Sequence, residues 1–474
     1  MAIEPRTELL PSTGPPRLKR GELGTADIIS AALANTAPAM SFFFSFGAIA
    51  LAAGIASPIA IAVAGIVVLL KINSLMEFTK AMPSTGSYIS YIGRTFGGIA
   101  GTLTALALSF GYIVAVGFVM AVLGGWTSTI LQTFLSIHVP WQVITVVLVF
   151  LVGYLVIHGV RISTKWAVVT FAFELILILV SAIAMLVVHR GSLDLQAFNP
   201  LAVKNGLRGI GLAFPLAVFM FMGVGNPAPM VEETRNPRRS VPIAIFTSTV
   251  SVALIYLFMA WSTTVAYDGN LTQLTGASVP FVDAGVKVLG SAGILVYLAG
   301  FTSTFASLIG ATNGQARMIF SAAREGLLPG FLARVGRQKT PWSAILFFLG
   351  VSLVITLIWG TQATPMTAAA LMATLGTIPV ALVYLVLNIA LPVYYLRERR
   401  SMFSLWRHLV FPSLGTLAML LPLWGLIQPG QPAPFNLFPY IILGYLVLAS
   451  IYAVFLNRAN PDLSDKVGSI IAED

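Results

Sequence analysis

Apolar residues in this chain fall in long, nearly unbroken blocks, separated by short polar, Pro- and Gly-rich segments. Trp141 to Ile157, Ala167 to Val188, Ile243 to Trp261 and Ala344 to Trp359 are examples. Many blocks approach the roughly 20 residues with which a helix crosses the hydrocarbon core. They lack the period-two alternation of a membrane barrel strand. Backbone in lipid has to satisfy its own hydrogen bonds, so the blocks are predicted as helices. Twelve spans are expected, at about 27–53, 58–80, 98–123, 140–160, 166–189, 209–234, 242–267, 292–316, 341–360, 366–393, 409–428 and 436–457.

Two of these spans are interrupted. The first contains Ala34-Asn-Thr-Ala-Pro-Ala-Met-Ser41, and the sixth contains Gly223-Val-Gly-Asn-Pro-Ala-Pro229. Proline removes a donor and clashes with the preceding turn, and glycine weakens a helix interior. The sixth span is expected to open into two half-helices. Interruptions in spans one and six imply two repeats of five helices. Five is odd, so the second repeat enters the membrane from the opposite side, with a solute site between the broken helices. The expected fold class is an all-α membrane protein of about twelve spans. Its core is a five-plus-five inverted repeat, followed by two additional C-terminal helices.

The expected boundaries are a cytoplasmic tail at 1–24, a core at 25–400 with repeats at about 25–190 and 205–395, helices eleven and twelve within 401–458, and a cytoplasmic tail at 459–474. The segment Met1 to Gly21 is polar and proline-rich, with no apolar stretch that reads as a cleaved signal.

Composition supports the membrane assignment: 57% of the 474 residues are hydrophobic and 9% charged, too few charges to clothe a soluble protein of this length. The net charge of +10 raises the question of nucleic acid, and the placement of the basic residues answers it. With the N-terminus inside, only Arg190, Lys204, Arg208 and Lys287 fall in outer segments. The rest lie on or toward the cytoplasmic side, densest at Arg235/Arg238/Arg239, Arg317 to Lys339 and Arg397 to Arg407. That is the bias that orients membrane helices, so no nucleic-acid partner is expected. Cysteine is absent, which removes disulfides and thiolate metal sites. The four histidines, His138, His158, His189 and His408, have no metal-ligand spacing, and no phosphate-binding loop is present. An enzyme, ATP-driven transport, a metal and a prosthetic group are therefore not expected.

Three stretches carry a family resemblance. Glu77-Phe-Thr-Lys-Ala-Met-Pro-Ser-Thr-Gly-Ser-Tyr88, with Tyr91 to Gly97, follows the second span. Val231-Glu-Glu-Thr-Arg-Asn-Pro-Arg-Arg-Ser-Val-Pro-Ile-Ala-Ile245 follows the sixth. Asn313-Gly-Gln-Ala-Arg317 to Arg324-Glu-Gly-Leu-Leu-Pro329 leaves the eighth, ending in Thr340-Pro341. Together they resemble the amino acid–polyamine–organocation superfamily, whose members have the LeuT-type fold. The resemblance implies a permease in the cytoplasmic membrane that moves amino acids or related small amines by alternating access. Symport, antiport and uniport stay open, as does the identity of the solute.

Unpaired amides at the start of a second half-helix attract a carboxylate, and carbonyls ending the first half attract an ammonium. On that ground Thr36, Ala37, Ala39, Met40 and Ser41 from the first break are the expected solute-binding residues. From the second break they are Gly223, Val224, Gly225 and Asn226. Many relatives resemble Gly-Ser-Gly-Ile-Phe in the first break and carry an acid at the position matching Gly225; this chain has neither feature, which argues against a polycation. Tyr112, Phe219 and Phe221 are candidate gate aromatics, an aromatic gate near the sixth-span break being what the resemblance implies.

Ionisable residues within spans are costly and few: Lys71, Glu77 and Glu174. Lys71 and Glu77 lie about 240° apart around a helix axis, so they are not a local pair. Lys71 is read as snorkelling toward the interface. Glu174 falls where proton-linked relatives carry a lysine facing the first and eighth helices. Three readings stay open: a proton carrier; a ligand for a cation such as sodium, together with Ser303, Thr304 or Ser307; or a glutamate hydrogen-bonded between helices. The acids and arginines of Glu232 to Pro242 are read as inside-gate ion pairs or as solvated loop charge.

Overall fold

A computed structural model describes residues 18 and 20–469. The described residues are almost wholly helical, with one isolated bridge, Leu23 to Thr234, and no strand. The expected tails at 1–24 and 459–474 lie partly outside these residues.

The first span forms two helices, α1 (Thr25–Thr36) and α2 (Pro38–Ala53), and the second is α3 (Ser57–Ala81). A short helix, α4 (Tyr88–Phe96), occupies the segment read as a connection. Then come α5 (Gly98–Leu135), α6 (Trp141–Ile157), α7 (Val160–Val188) and α8 (Leu207–Phe219). Next are α9 (Pro237–Ala266), two short helices α10 (Leu271–Gly276) and α11 (Pro280–Leu289), and α12 (Ile294–Arg324). The chain continues through α13 (Trp342–Gly360), α14 (Pro365–Glu398), α15 (Phe411–Ile427), α16 (Phe438–Ala459) and α17 (Leu463–Lys466). Among the described residues, nine helical stretches are long and apolar enough to cross a membrane, one of them covering α1 to α3; α6 and α8 are shorter apolar helices. The chain is therefore a multi-pass helical membrane protein.

Each apolar block falls on helix, because a run of large aliphatic residues with no internal polar partner is satisfied only by intrahelical bonds in an apolar medium. One detail departs from expectation. The second half of the sixth span is not an α-helix; after α8 the chain turns through 220–227 and closes in a 3₁₀ segment, Ala228–Glu233. Pro227 and Pro229 each remove an N–H and fix φ, leaving six residues in which no α-turn propagates.

The most extensive packings are α5 on α14, α7 on α12 and α3 on α9. The α2 helix lies against α8, and α1 is enclosed by α7, α9 and α12. Both breaks are thus held inside the bundle, while Leu207, Leu212 and Leu216 of α8 are exposed.

Candidate functional site

The first break sits at one residue. The ring of Pro38 disfavours helical dihedrals at the preceding position, and Ala37 takes φ 50°, ψ 68°, in the left-handed region. Its N–H bonds back to Ala34 at 3.2 Å. The α2 helix therefore begins at a residue with no N–H, followed by donors with no intrahelical partner.

Those donors are taken. The N–H of Ala39 donates to Oε1 of Glu174 at 2.7 Å, and the N–H of Met40 donates to Oγ of Ser303 at 3.1 Å. The N–H of Ser41 returns to the carbonyl of Ala37 at 2.9 Å. Glu174, fully buried on α7, thus caps α2 with its carboxylate, the charge that a helix N-terminus favours. Its Oε2 has no partner among the described residues. Ser307 donates to the carbonyl of Asn35 at 3.1 Å, and Thr304 turns to its own helix at Gly300. Of the expected coupling set, Glu174, Ser303 and Ser307 meet the first break; Thr304 does not.

The second break faces the first. The bonds of Phe221 to Val218 and Met222 to Phe219 tighten the end of α8, and Gly223 then takes φ +104°. A Cβ there would stand 2.5 Å from Nδ2 of Asn35 and 2.9 Å from its carbonyl oxygen, so the position requires glycine. Asn35 Nδ2 donates to the carbonyl of Gly223 at 3.0 Å, joining the two breaks. The N–H groups of Gly223, Val224 and Gly225 have no backbone acceptor among the described residues. Gly225 has no room for the acid that relatives carry at the matching position, because its Cβ would meet the Tyr88 hydroxyl at 2.8 Å.

A cavity of about 90 Å³ lies between the breaks. Thr36, Met40, Ser41, Gly223 and Asn226 line it, with Tyr112 and Phe219 from the expected gate. Ala37, Ala39, Val224 and Gly225, also expected there, are not among its lining residues. Phe221 is buried elsewhere, edge-on to Tyr256 at 5.3 Å. Asn35, Gln315 and Tyr384 also line the cavity and were missed by sequence reasoning. Asn35 had a signal, an amide in an apolar span beside the break; Tyr384, bonded to the Tyr112 hydroxyl at 3.4 Å, had none.

At one end of the bundle the three resemblance stretches meet. Arg317 and Glu233, 0% and 1% exposed, form an ion pair, with Nη2 to Oε1 at 3.0 Å. Arg324 pairs with Glu232. The acids therefore bond to α12 and not to the arginines beside them in sequence; Arg235 goes to the carbonyl of Gly21 at 2.8 Å. Next to this cluster Glu325 accepts the N–H of Gly468 at 3.3 Å and the hydroxyl of Ser90 at 3.4 Å. Burial pushes its carboxyl up to about 7, against the opposing effect of those hydrogen bonds and Arg324.

On α3, Glu77 bonds Lys80 at 2.7 Å and His408 at 3.3 Å, and not Lys71. Lys71 does not reach for an interface; its ammonium lies 3.9 Å over the ring of Tyr384. Among the described residues no three acidic or histidine side chains gather to hold a metal.

Two interrupted helices enclosed in a bundle of apolar helices, with a cavity between them, define a membrane carrier of small solutes. The chain belongs to the amino acid permease family, whose model matches residues 26–468. It is similar to the branched-chain amino acid permease BcaP of Bacillus subtilis (strain 168), 28% identical over 377 residues, 73% of this chain and 76% of the relative. It is similar to the Asc-type amino acid transporter 1 of Mus musculus, 28% identical over 299 residues, 60% of this chain and 55% of that one. The methylthioribose transporter of Bacillus subtilis (strain 168) is 26% identical over 313 residues, 61% of this chain and 64% of the relative. The family is one of transporters.

Proposed function

We propose that this protein is a secondary active permease of the cytoplasmic membrane. It moves amino acids or related small amines by alternating access, with both termini cytoplasmic. The observation that carries the reading is the meeting of the two breaks around one cavity, joined by Asn35 and Gly223. The helix packing supports a five-plus-five repeat. In spans, its strongest pairs are three with ten, five with eight and two with seven, and a shift of five spans exchanges the first two pairs and preserves the third. The ion pairs of Arg317 and Arg324 lie at the end read here as cytoplasmic, which supports a state closed to the inside.

Thr36, Met40, Ser41, Gly223 and Asn226 are the solute contacts, with Ala37, Ala39, Val224 and Gly225 shaping the break behind them. Tyr112 and Phe219 gate it. The similarity to a branched-chain amino acid permease makes leucine, isoleucine and valine the first solutes to try.

Glu174 is the coupling residue. Oε1 is committed to Ala39 while Oε2 has no partner among the described residues, which leaves one oxygen to take a proton without breaking the cap. Binding of sodium by Glu174, Ser303 and Ser307 is the second reading, supported by their convergence on the first break.

The test is uptake of radiolabelled leucine, isoleucine and valine into proteoliposomes under imposed proton or sodium gradients. Accumulation above equilibrium supports an active permease and identifies the ion. Equilibration without accumulation points to a uniporter or channel, exchange alone to an antiporter, and binding without flux to a sensor.

A further inference from the structure

A second cavity of about 340 Å³ adjoins the first and shares Met40, Ser41, Phe219 and Tyr384 with it. Phe44, Phe118, Met366, Met419 and Leu423 make its walls mostly apolar. Among the described residues Lys71 is the one charged side chain that lines it, and no Asp or Glu lines either cavity.

Lys71 is set deep in α3, with its backbone packed on α15: a Cβ at Gly415 would stand 3.2 Å from Lys71 Cα. The same point lies 3.3 Å from Nδ2 of Asn388, which is 2% exposed and whose amide nitrogen and oxygen have no partner among the described residues. The Tyr384 ring is the recorded contact of the Lys71 ammonium; neither an ion pair nor a hydrogen bond of Lys71 is found among the described residues. A cation at membrane depth is costly unless an opposite charge answers it, and a ring face offsets part of that cost only. Among the described residues no carboxylate answers it, and Lys71 lines a space large enough for a small molecule.

The start of α2, the usual place for an anion, is filled. Ala39 is bonded to Glu174, Met40 to Ser303 and Ser41 to Ala37, and an incoming carboxylate there would face the carboxylate of Glu174. We infer that Lys71 is the countercation for the carboxylate of the solute, which binds with its acid group on Lys71 Nζ beside Tyr384 and its apolar body along the larger cavity. The ammonium of a zwitterion then points back to the carbonyls of the first break. This assignment rests on the permease reading and specifies which group of the protein recognises the acid.

The experiment uses purified full-length protein in detergent and measures binding of L-leucine, L-serine and L-glutamate, each against its α-amide (leucinamide, serinamide and isoglutamine). Wild type is expected to bind an acid at least about tenfold more tightly than its amide, the discrimination of an ion pair in a desolvated site. Lys71→Met is expected to lose that preference by weakening the acid and leaving the amide unchanged. Lys71→Arg is expected to keep it. A Lys71→Met protein that still prefers the acid overturns the assignment. Should Lys71→Met not fold, acetylation of Lys71 in wild type, read by mass spectrometry, replaces it: protection by the acid and not by the amide supports the assignment, and equal labelling overturns it. Equal binding of acid and amide by wild type overturns this assignment alone. No binding of any probe by wild type overturns the permease reading and the assignment with it.

Discussion

The carboxylate of Glu174 caps the amide of Ala39 at 2.7 Å, so the charge that closes the first helix break comes from a side chain 135 residues away. A glutamine can accept the same bond and cannot take or release a proton. Glu174→Gln is therefore expected to fold, to bind solute, and to lose the stimulation of uptake by an imposed pH gradient. Uptake into proteoliposomes with and without the gradient checks this; undiminished stimulation removes Glu174 from coupling.

Gly223 is held at φ +104° against Asn35. Alanine there has to bear a left-handed backbone and a contact with the Asn35 carbonyl. Gly223→Ala is expected to cost about 1–3 kcal/mol and to abolish uptake. A thermal melt in detergent and a transport assay measure the two effects, and a variant with wild-type uptake would show that the join between the breaks is dispensable.

Arg317 and Glu233 are both buried, so removing one leaves an uncompensated charge. Arg317→Met is expected to destabilise by about 3–5 kcal/mol, and the double variant Arg317→Met/Glu233→Met to regain most of it. Comparison of the three melting curves decides. A double variant no better than the single would mean that the pair acts through the hydrogen bonds of Arg317 to Asn313 instead.

Burial pushes the Glu325 carboxyl up to about 7 in the folded protein, from the usual 4.5. Its folded value is the higher one, so its contribution is complete below 4.5 and is lost as pH rises through about 7. Relative to Glu325→Gln, the wild-type melting temperature is expected to fall between pH 4.5 and about 7, the range the two values bracket. Parallel pH dependence in both proteins would refute it.

The apolar runs alone determined that the chain is helical and embedded in a membrane, because lipid leaves the backbone no other partner. Pro38, Gly223, Pro227 and Pro229 determined where the helices open, since their constraints act on their own turn. The stretches at Glu77, Val231 and Asn313 determined the family. The sequence did not show that the second break ends in 3₁₀ backbone, or that Ala39 and Met40 have their amides filled from α7 and α12. Nor did it show that Asn35 reaches Gly223, 188 residues away, or that Lys71 lies over Tyr384. These depend on how helices rotate and pack. Lipid and protein interior are equally apolar, so hydropathy does not mark which face of a span turns inward. The break is written in local residue types; what fills it is decided by the neighbours that packing brings.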